Sequence, residues 1–233
     1  MATLIEAAQV GDINIIDIHS QHGSDLNVAD ANGKTALMYA AENDHLAFTT
    51  KLVTYGADFK LADKSGNSAL SLACWKGHKF IVQFLLDIGA HIDARSIAEA
   101  LSAEVLEMLL NKPEIINLNH FRFNTRPLIF AFTDIKTEEC YKKLHLIMRH
   151  GANPNITDLY LETPLMALVR SVKKNDDLEK LYWVAESIKL MLYVGADYTR
   201  ANGFLETFDT LLVENRNRIR MVQTFFTHFS ASS

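Results

Sequence analysis

Cys74 and His78 are the first residues whose types and spacing could support chemistry. They lie in the segment ACWKGH, residues 73–78. A spacing of four residues places two side chains on one face of a helix. A thiol beside an imidazole is typical of a nucleophile with its base, and also of half a zinc site. Two structural residues can share the same spacing. The secondary structure around Cys74 and His78 is therefore needed to choose between a catalytic, a metal-binding and a structural role.

The composition disfavours several classes of partner. The 233 residues are 48% hydrophobic and 22% charged, with a formal net charge of -5. Nucleic acid and anionic membranes both favour a basic surface, so we expect neither as a partner. No run reaches the ~18 apolar residues of a membrane span, and no membrane insertion is expected. Residues 1–12 lack the pattern of a secretory signal, and two cysteines suit a reducing compartment, which predicts a cytoplasmic protein.

The chain repeats with a period of 33 residues. A shift of 33 brings leucine, alanine and glycine into register, at Leu4, Leu37 and Leu70, then Ala7, Ala40 and Ala73, then Gly23, Gly56 and Gly89. Five segments share a glycine-led ending: GSDLN at 23–27, GADFK at 56–60, GAHID at 89–93, GANPN at 151–155 and GADYT at 195–199. Four segments share an opening: KTALMYA at 34–40, NSALSLA at 67–73, TRPLIFA at 125–131 and ETPLMAL at 162–168. Agreement of period, opening and ending indicates a repeat architecture.

These segments resemble the ankyrin repeat family, whose period is 33 residues and whose repeat opens with a T-P-L-H-x-A signature. The resemblance covers essentially the whole chain. It implies an all-α helical solenoid of about six irregular repeats with short β-hairpin-like loops. We expect a single domain over 1–233, with units of roughly 1–33, 34–66, 67–95, 96–120, 121–158 and 159–203 and a capping helix over 204–229. The signature histidine is missing, and its places hold Met38, Ser71, Ile129 and Met166.

The expected helix boundaries support this architecture. Thr35, Ser68 and Thr163 are predicted to cap the inner helices of their units, because hydroxyls accept the free N–H groups of a first turn. Pro127 and Pro164 are predicted to occupy first helical positions, where a missing N–H costs nothing. Glycines such as that at 89 are predicted to end the outer helices in the left-handed conformation.

Two departures from the regular repeat stand out. Residues 96–117 read as a shortened unit that has lost most of a hairpin. The later units are longer, with extra residues between their two helices around 171–182, where Asn175 is predicted to cap a helix. We interpret the extra length as longer helices with a solvated charged turn, and an added docking surface is the alternative.

The repeat also answers the question about chemistry. His45 stands one period before His78, but Ala41 stands one period before Cys74, so the histidine recurs without the thiol. Cys74 therefore takes a small-residue position in an inner helix. We expect no catalysis, no cofactor and no metal. A small cysteine-dependent enzyme using Cys74 or Cys140 is the least favoured alternative.

The resemblance implies that the ends of the inner helices and the hairpin tips face a concave groove. Trp75 is the expected anchor for a partner, because a large aromatic side chain at an exposed position concentrates binding energy. The alternative is that Trp75 packs against a neighbouring repeat. The residues predicted to contact the partner are Trp75, Lys76, Glu42, Asn43, Ala31, Asn32, Lys34, Lys64, Ser65, Asn67, Arg122, Phe123, Leu159, Tyr160 and Arg170.

The predicted function is a non-catalytic, monomeric interaction module that binds an unidentified protein partner. A regulatory or targeting module that docks through the enlarged helix pair at 160–195 is an alternative. Its irregular units resemble effectors that intracellular bacteria deliver into the cytosol of host cells. The basic segment with Arg216, Arg218 and Arg220 is interpreted as the solvated face of the capping helix, and a clamp for phosphate or an acidic peptide is the alternative.

Overall fold

The computed structural model describes residues 3–112, 117–120, 122–173 and 176–214. The chain divides into two compact units, Met1–Pro113 and Glu114–Ser233. Over the described residues the structure is mostly helical, with twelve α-helices, one 3₁₀ helix and one hairpin of two-residue strands. Asn175 and the arginines at 216, 218 and 220 lie outside the described residues.

The first unit contains four successive pairs of helices. They are α1 Leu4–Val10 and α2 Asn14–Gln21, α3 Ala36–Glu42 and α4 Leu46–Thr54, α5 Ala69–Lys76 and α6 Lys79–Asp87, then α7 Ala94–Ala98 and α8 Ala103–Leu110. The first helix of each pair contacts the first helix of the next pair, and α4, α6 and α8 also contact in sequence. Helices α3 and α5 are buried on nearly every side, because small residues such as Ala40 and Ala73 let neighbouring backbones approach closely.

Aspartates build the hairpins that precede α3 and α5. The Asp30 carboxylate accepts the backbone N–H groups of Asn32 and Lys34, both at 2.8 Å. The hydrogen bond from the Lys34 N–H is the main reason that the pKa of Asp30 lies below its usual range. Asp63 repeats the arrangement in the next hairpin. Each turn passes through a glycine with positive φ, and each hairpin is closed by a single antiparallel bridge.

The predicted caps are confirmed. The hydroxyls of Thr35, Ser68 and Thr163 each accept the N–H of the third residue onward, and Pro164 is the first residue of its helix. These local signals therefore set where the inner helices begin.

The shortened repeat predicted from the sequence consists of helices α7 and α8. Ala94 follows Gly89 by five residues, whereas Ala69 follows Gly56 by thirteen, so the hairpin before α7 is the element that is lost. Asp93 caps α7 directly, since its carboxylate accepts the Ser96 N–H at 2.7 Å. The helix thus begins two residues before the predicted unit start at 96.

The second unit begins with a short hairpin. Strand β1 Arg122–Phe123 pairs with β2 Arg126–Pro127, and the 3₁₀ helix Leu128–Phe132 follows. After it come the helices α9 Glu138–Arg149, α10 Pro164–Arg170, α11 Leu178–Tyr193 and α12 Phe208–Glu214. The prediction that Pro127 starts an inner α-helix is wrong, because Pro127 pairs with Arg122 in the hairpin. The 3₁₀ helix contacts α9 and α10, and α10 contacts α11 and α12.

The extra length of the second unit lies largely in its outer helices. Helices α9 and α11 have 12 and 16 residues, against 9 in both α4 and α6. Asp177 caps α11, so the predicted cap at 175 is wrong. In the first turn of α11 Asp177, Leu178 and Glu179 are exposed, whereas the buried Lys180 ammonium lies 2.9 Å from Asp176 and 3.1 Å from the carbonyl of Ser171.

The last described helix starts later than predicted. Residues 202–207 form a turn in which the Asn202 side chain accepts the N–H groups of Phe204 and Glu206, at 2.9 Å and 3.0 Å. Helix α12 then begins at Phe208, not at 204, and residues beyond Glu214 lie outside the described part. None of the described helices combines the length and apolar character that a membrane crossing requires.

Replacing Gly56 with valine should lower the free energy of unfolding by about 1–2 kcal/mol. Gly56 has φ +94, and a Cβ there would meet no atom within 4 Å, so the cost is conformational and not steric. Denaturant unfolding measures it, and Gly56→Asn should cost less because asparagine tolerates the left-handed region. An unchanged midpoint for the valine variant would mean that the left-handed turn does not limit stability.

Candidate partner-binding surfaces

Cys74 and His78 do not form a reactive pair. Cys74 is fully buried, and burial raises the pKa of its thiol far above the usual range, which opposes formation of the nucleophilic thiolate. The His78 ring is directed elsewhere. Its Nε2 donates to the carbonyl of Glu42 at 2.9 Å, and its Nδ1 lies 3.6 Å from the Asp44 carboxylate.

The recurring histidine has a structural role. His45 Nε2 lies 3.2 Å from the carbonyl oxygen of Gln9, just as His78 Nε2 lies 2.9 Å from the carbonyl oxygen of Glu42. Both carbonyls belong to the last turn of the preceding inner helix, where no intrahelical donor is left for them. The spacing of 33 thus serves contacts between successive repeats.

Trp75 lies at the end of α5, with 46% of its surface exposed. The Lys76 ammonium sits 3.9 Å from the centre of its ring, a cation–π distance. This exposure shows that Trp75 is not a fully buried core residue, while the covered half of its surface is compatible with the alternative that it packs against a neighbouring repeat. The residue is available for a partner.

Glu42 occupies the same repeat position at the end of α3, and it is already engaged. Its carboxylate forms an ion pair with Lys34, and both side chains are largely buried. The Lys34 ammonium also lies 4.4 Å from the centre of the Tyr39 ring, whose hydroxyl donates to Asp30 at 2.9 Å. Lys34 and Glu42 therefore shape the surface more than they extend from it.

The hairpin tips of the first unit are fastened to each other. Lys64 donates its backbone N–H to the carbonyl of Asn32 at 2.9 Å and its ammonium to the carbonyl of Ala31 at 2.7 Å. The Ser65 carbonyl accepts from Arg95 at 3.0 Å. Ala31, Asn32, Lys64 and Ser65 are exposed, so the tips form an ordered polar surface.

Two further predicted residues of this unit differ in availability. Asn43 is the exposed C-cap residue of α3. Asn67 is half-buried, and its side-chain amide donates to Asp63 at 2.8 Å, so it supports the hairpin. We call the surface formed by tips 31–34 and 64–67 with the ends of α3 and α5 the tip surface.

The predicted residues of the second unit are more apolar. Leu159 and Tyr160 are 83% and 63% exposed. The Tyr160 ring stacks beside that of Phe204, with centres 6.2 Å apart and planes at 22°. In the preceding hairpin Arg122 is exposed, whereas Phe123 is half-buried.

Arg170 belongs to a chain of alternating charges. The Arg170 Nε atom lies 2.7 Å from the Oε1 atom of Glu162, but the two groups are not aligned for a hydrogen bond. The Nη2 atom of the same guanidinium forms an ion pair with Glu206. Arg126 lies 2.9 Å from Glu162, 2.8 Å from Asp158 and 4.0 Å from the centre of the Phe130 ring. Glu162 and Arg170 hold the same repeat positions as Lys34 and Glu42, so this ion pair recurs with its charges exchanged.

Two open clefts adjoin this charge chain. One of about 430 Å³ is lined by Tyr160, Glu162, Arg170, Asn202, Phe204 and Glu206. The other, of about 310 Å³, is lined by Asn124, Thr125, Arg126, Asp158, Leu159, Tyr160 and Glu162. Because Tyr160 and Glu162 line both, the clefts are neighbours on one face of the second unit. We call the pair the hairpin cleft.

Known proteins share this fold. Residues 4–96 match the family model described as ankyrin repeats (3 copies). No curated protein sequence matches the chain. The crystal structure of the human ASB11 ankyrin repeat domain has a TM-score of 0.71 and 23% identity, covering 91% of this chain and 91% of that chain. The ankyrin repeat domain of Bcl-3, a unique member of the IkappaB protein family, has a TM-score of 0.70 and 18% identity, covering 91% and 93%.

Residues 4–96 are ankyrin repeats, and the likeness to the two solved structures shows an ankyrin repeat fold over most of the chain. The predicted family and the mostly helical repeat fold are thereby confirmed. Ankyrin repeat domains are typically protein–protein interaction modules and are generally non-catalytic.

Several residues of this ankyrin repeat protein's hairpin cleft were missed by sequence reasoning: Arg126, Asp158, Glu162, Asn202, Phe204 and Glu206. A signal for some of them was present. A shift of 44 aligns YLET at 160–163 with FLET at 204–207, which would have identified a further hairpin. The prediction of a helix from 204 concealed it.

Cys140 is the other thiol of this ankyrin repeat protein. It is half-buried in the first turn of α9. Burial alone would raise its pKa, but hydrogen bonding, first with the Thr137 hydroxyl at 3.5 Å, outweighs this effect and lowers it. Within the described ranges no group of three or more histidine, cysteine, aspartate or glutamate side chains is placed to hold a metal.

Replacing Cys74 with alanine should lower stability by only about 1 kcal/mol and leave partner binding intact, because the thiol packs as a small apolar group. Thermal unfolding and a binding titration check both parts. Cys140→Ala is the matched control for the second thiol. Any turnover abolished by the Cys74 change would contradict a purely structural thiol.

Proposed function

We propose that this ankyrin repeat protein binds a protein partner without turnover, through the tip surface of its first unit. The observation that carries the proposal is Trp75. It is a large aromatic side chain, half exposed at the end of a buried helix, and aromatic anchors of this kind concentrate interface energy. The family resemblance assigns this position to the concave groove.

The surroundings of Trp75 support such a contact. The neighbouring side chains of Lys34 and Glu42 are held by an ion pair, and the tips are joined by hydrogen bonds from Lys64. A partner would therefore meet ordered groups and would lose little conformational entropy on binding. The expected state is a monomer in the cytoplasm, with Cys74 and Cys140 as free thiols.

A second candidate surface lies on the enlarged outer helices α9 and α11. Trp183 packs against Tyr141 and Tyr182, with ring centres 5.4 Å and 4.9 Å apart. Tyr182 and Tyr193 remain exposed on α11. This aromatic row favours docking of a regulatory or targeting partner at 160–195.

Affinity capture with the immobilised full chain, followed by calorimetric titration of the captured partner, tests the proposal. The Trp75→Ala and Tyr182→Ala variants separate the two surfaces. Loss of binding with Trp75→Ala alone supports the tip surface, and loss with Tyr182→Ala alone supports the outer helices. Consumption of the partner or a small substrate in the mixture would contradict binding without turnover.

A further inference from the structure

Two consecutive hairpins of the second unit carry the same short sequence pattern. YLET at 160–163 and FLET at 204–207 each place an aromatic residue, a leucine, a glutamate and a threonine in order. The hairpins are fastened together, because the Gly203 N–H donates to the Tyr160 carbonyl at 2.7 Å. A Cβ on Gly203 would lie 3.0 Å from that oxygen, so a larger residue would crowd this contact. This contact holds Tyr160 and Phe204 side by side.

The leucines of these hairpins adopt a conformation that favours glycine. Leu161 has φ +59 and Leu205 has φ +62, in the turn position that Gly33 and Gly66 take in the first unit. A side chain costs free energy in this region. Leu205 is 85% exposed, so burial within the chain does not offset that cost. Leucine gains from this position when a partner covers it.

The lining of the hairpin cleft carries an excess of negative charge. Among its lining residues Asp158, Glu162 and Glu206 supply three carboxylates, whereas Arg126 and Arg170 supply two guanidinium groups. Each arginine bridges two carboxylates, so both positive charges are already shared. The faces of the Tyr160 and Phe204 rings in the same lining add a negative potential of their own.

We propose that the hairpin cleft binds an arginine or lysine side chain from an extended segment of the partner protein, with an apolar residue of that segment on the exposed Leu205 beside it. The cation offsets the net negative charge of the cleft lining, and it lies against the ring of Phe204. An acidic group would instead compete with three carboxylates for two arginines. The proposal rests on the proposed function, since it names the chemistry of the partner.

Selection of random peptides displayed on phage, with the immobilised full chain as target, tests this chemistry. We expect selected peptides to place arginine or lysine next to an apolar residue. A synthetic peptide of the selected sequence is then titrated by fluorescence anisotropy beside a version with citrulline for arginine, which keeps the shape and removes the charge. The citrulline peptide, and the Phe204→Ala and Glu206→Gln variants, should each weaken binding by about tenfold or more.

Selection of acidic peptides, or of none, would overturn the proposal. Equal binding of the arginine and citrulline peptides, or of wild type and Glu206→Gln, would do the same. Circular dichroism melting confirms that the variants remain folded. The Trp75→Ala variant should bind the peptide normally, because Trp75 belongs to the first unit. A partner that depends on Trp75 while no basic peptide binds would contradict the cleft proposal and leave the proposed function standing.

Discussion

Replacing Trp75 with alanine will weaken partner binding by about 2 kcal/mol or more, roughly thirtyfold in the dissociation constant. The side chain is half exposed, so its loss removes contact area from the interface and little packing from the core. Titration calorimetry measures the affinity. Thermal unfolding should show a melting temperature close to that of the wild type.

Matched variants make the Trp75 result specific. Phe80→Ala removes an aromatic side chain that is 77% exposed on the outer helix α6, and it should leave affinity unchanged. Glu42→Ala should cost less than about 1 kcal/mol, because the carboxylate is paired with Lys34 and acts on the partner mainly through long-range charge. If Trp75→Ala binds normally and melts much earlier, the tryptophan stabilises the fold and the outer helices α9 and α11 become the surface to test.

Sequence reasoning succeeded where the structure depends on local signals. Thr35 and Ser68 cap helices because a hydroxyl reaches an N–H three residues away, and both residues of that contact stand in one short segment. Gly89 ends its outer helix with φ +83 for a similarly local reason. The repeat of 33 multiplies such signals until the fold follows from them.

The hairpin cleft could be predicted only in part, because its contacts join residues distant in sequence. Arg126 and Glu162 are 36 residues apart, as are Arg170 and Glu206, and each ion pair joins neighbouring repeats. Leu159 and Tyr160 followed from hairpin register, but Phe204 did not, because its segment was assigned to a helix. The helix propensity of residues 204–207 does not reveal that the Asn202 side chain stabilises a turn before α12 begins.

Replacing Asp158 with alanine will lower the free energy of unfolding of the second unit by about 2–4 kcal/mol. The buried carboxylate accepts the N–H groups of Tyr160 and Glu162, at 2.9 Å and 3.0 Å, and lies 2.8 Å from Arg126. Alanine leaves both N–H groups without this acceptor and removes one of the two carboxylates that Arg126 bridges. The hairpin cleft should lose its geometry with the turn.

Tryptophan fluorescence can assign this loss to one unit. The chain has two tryptophans, so in a Trp75→Phe background the signal comes from Trp183 in the second unit alone. Asp158→Asn keeps a side-chain oxygen that can accept the two N–H groups, and it should recover about half of the loss. Asp197→Ala removes an exposed aspartate of the same unit that accepts the N–H and the hydroxyl of Thr199, so it should cost less than about 1 kcal/mol. Equal midpoints for Asp158→Ala and Asp197→Ala would show that burial and the Arg126 pair add nothing to the stability of the turn. The alternating charges of the hairpin cleft would then be a consequence of the fold and not one of its supports.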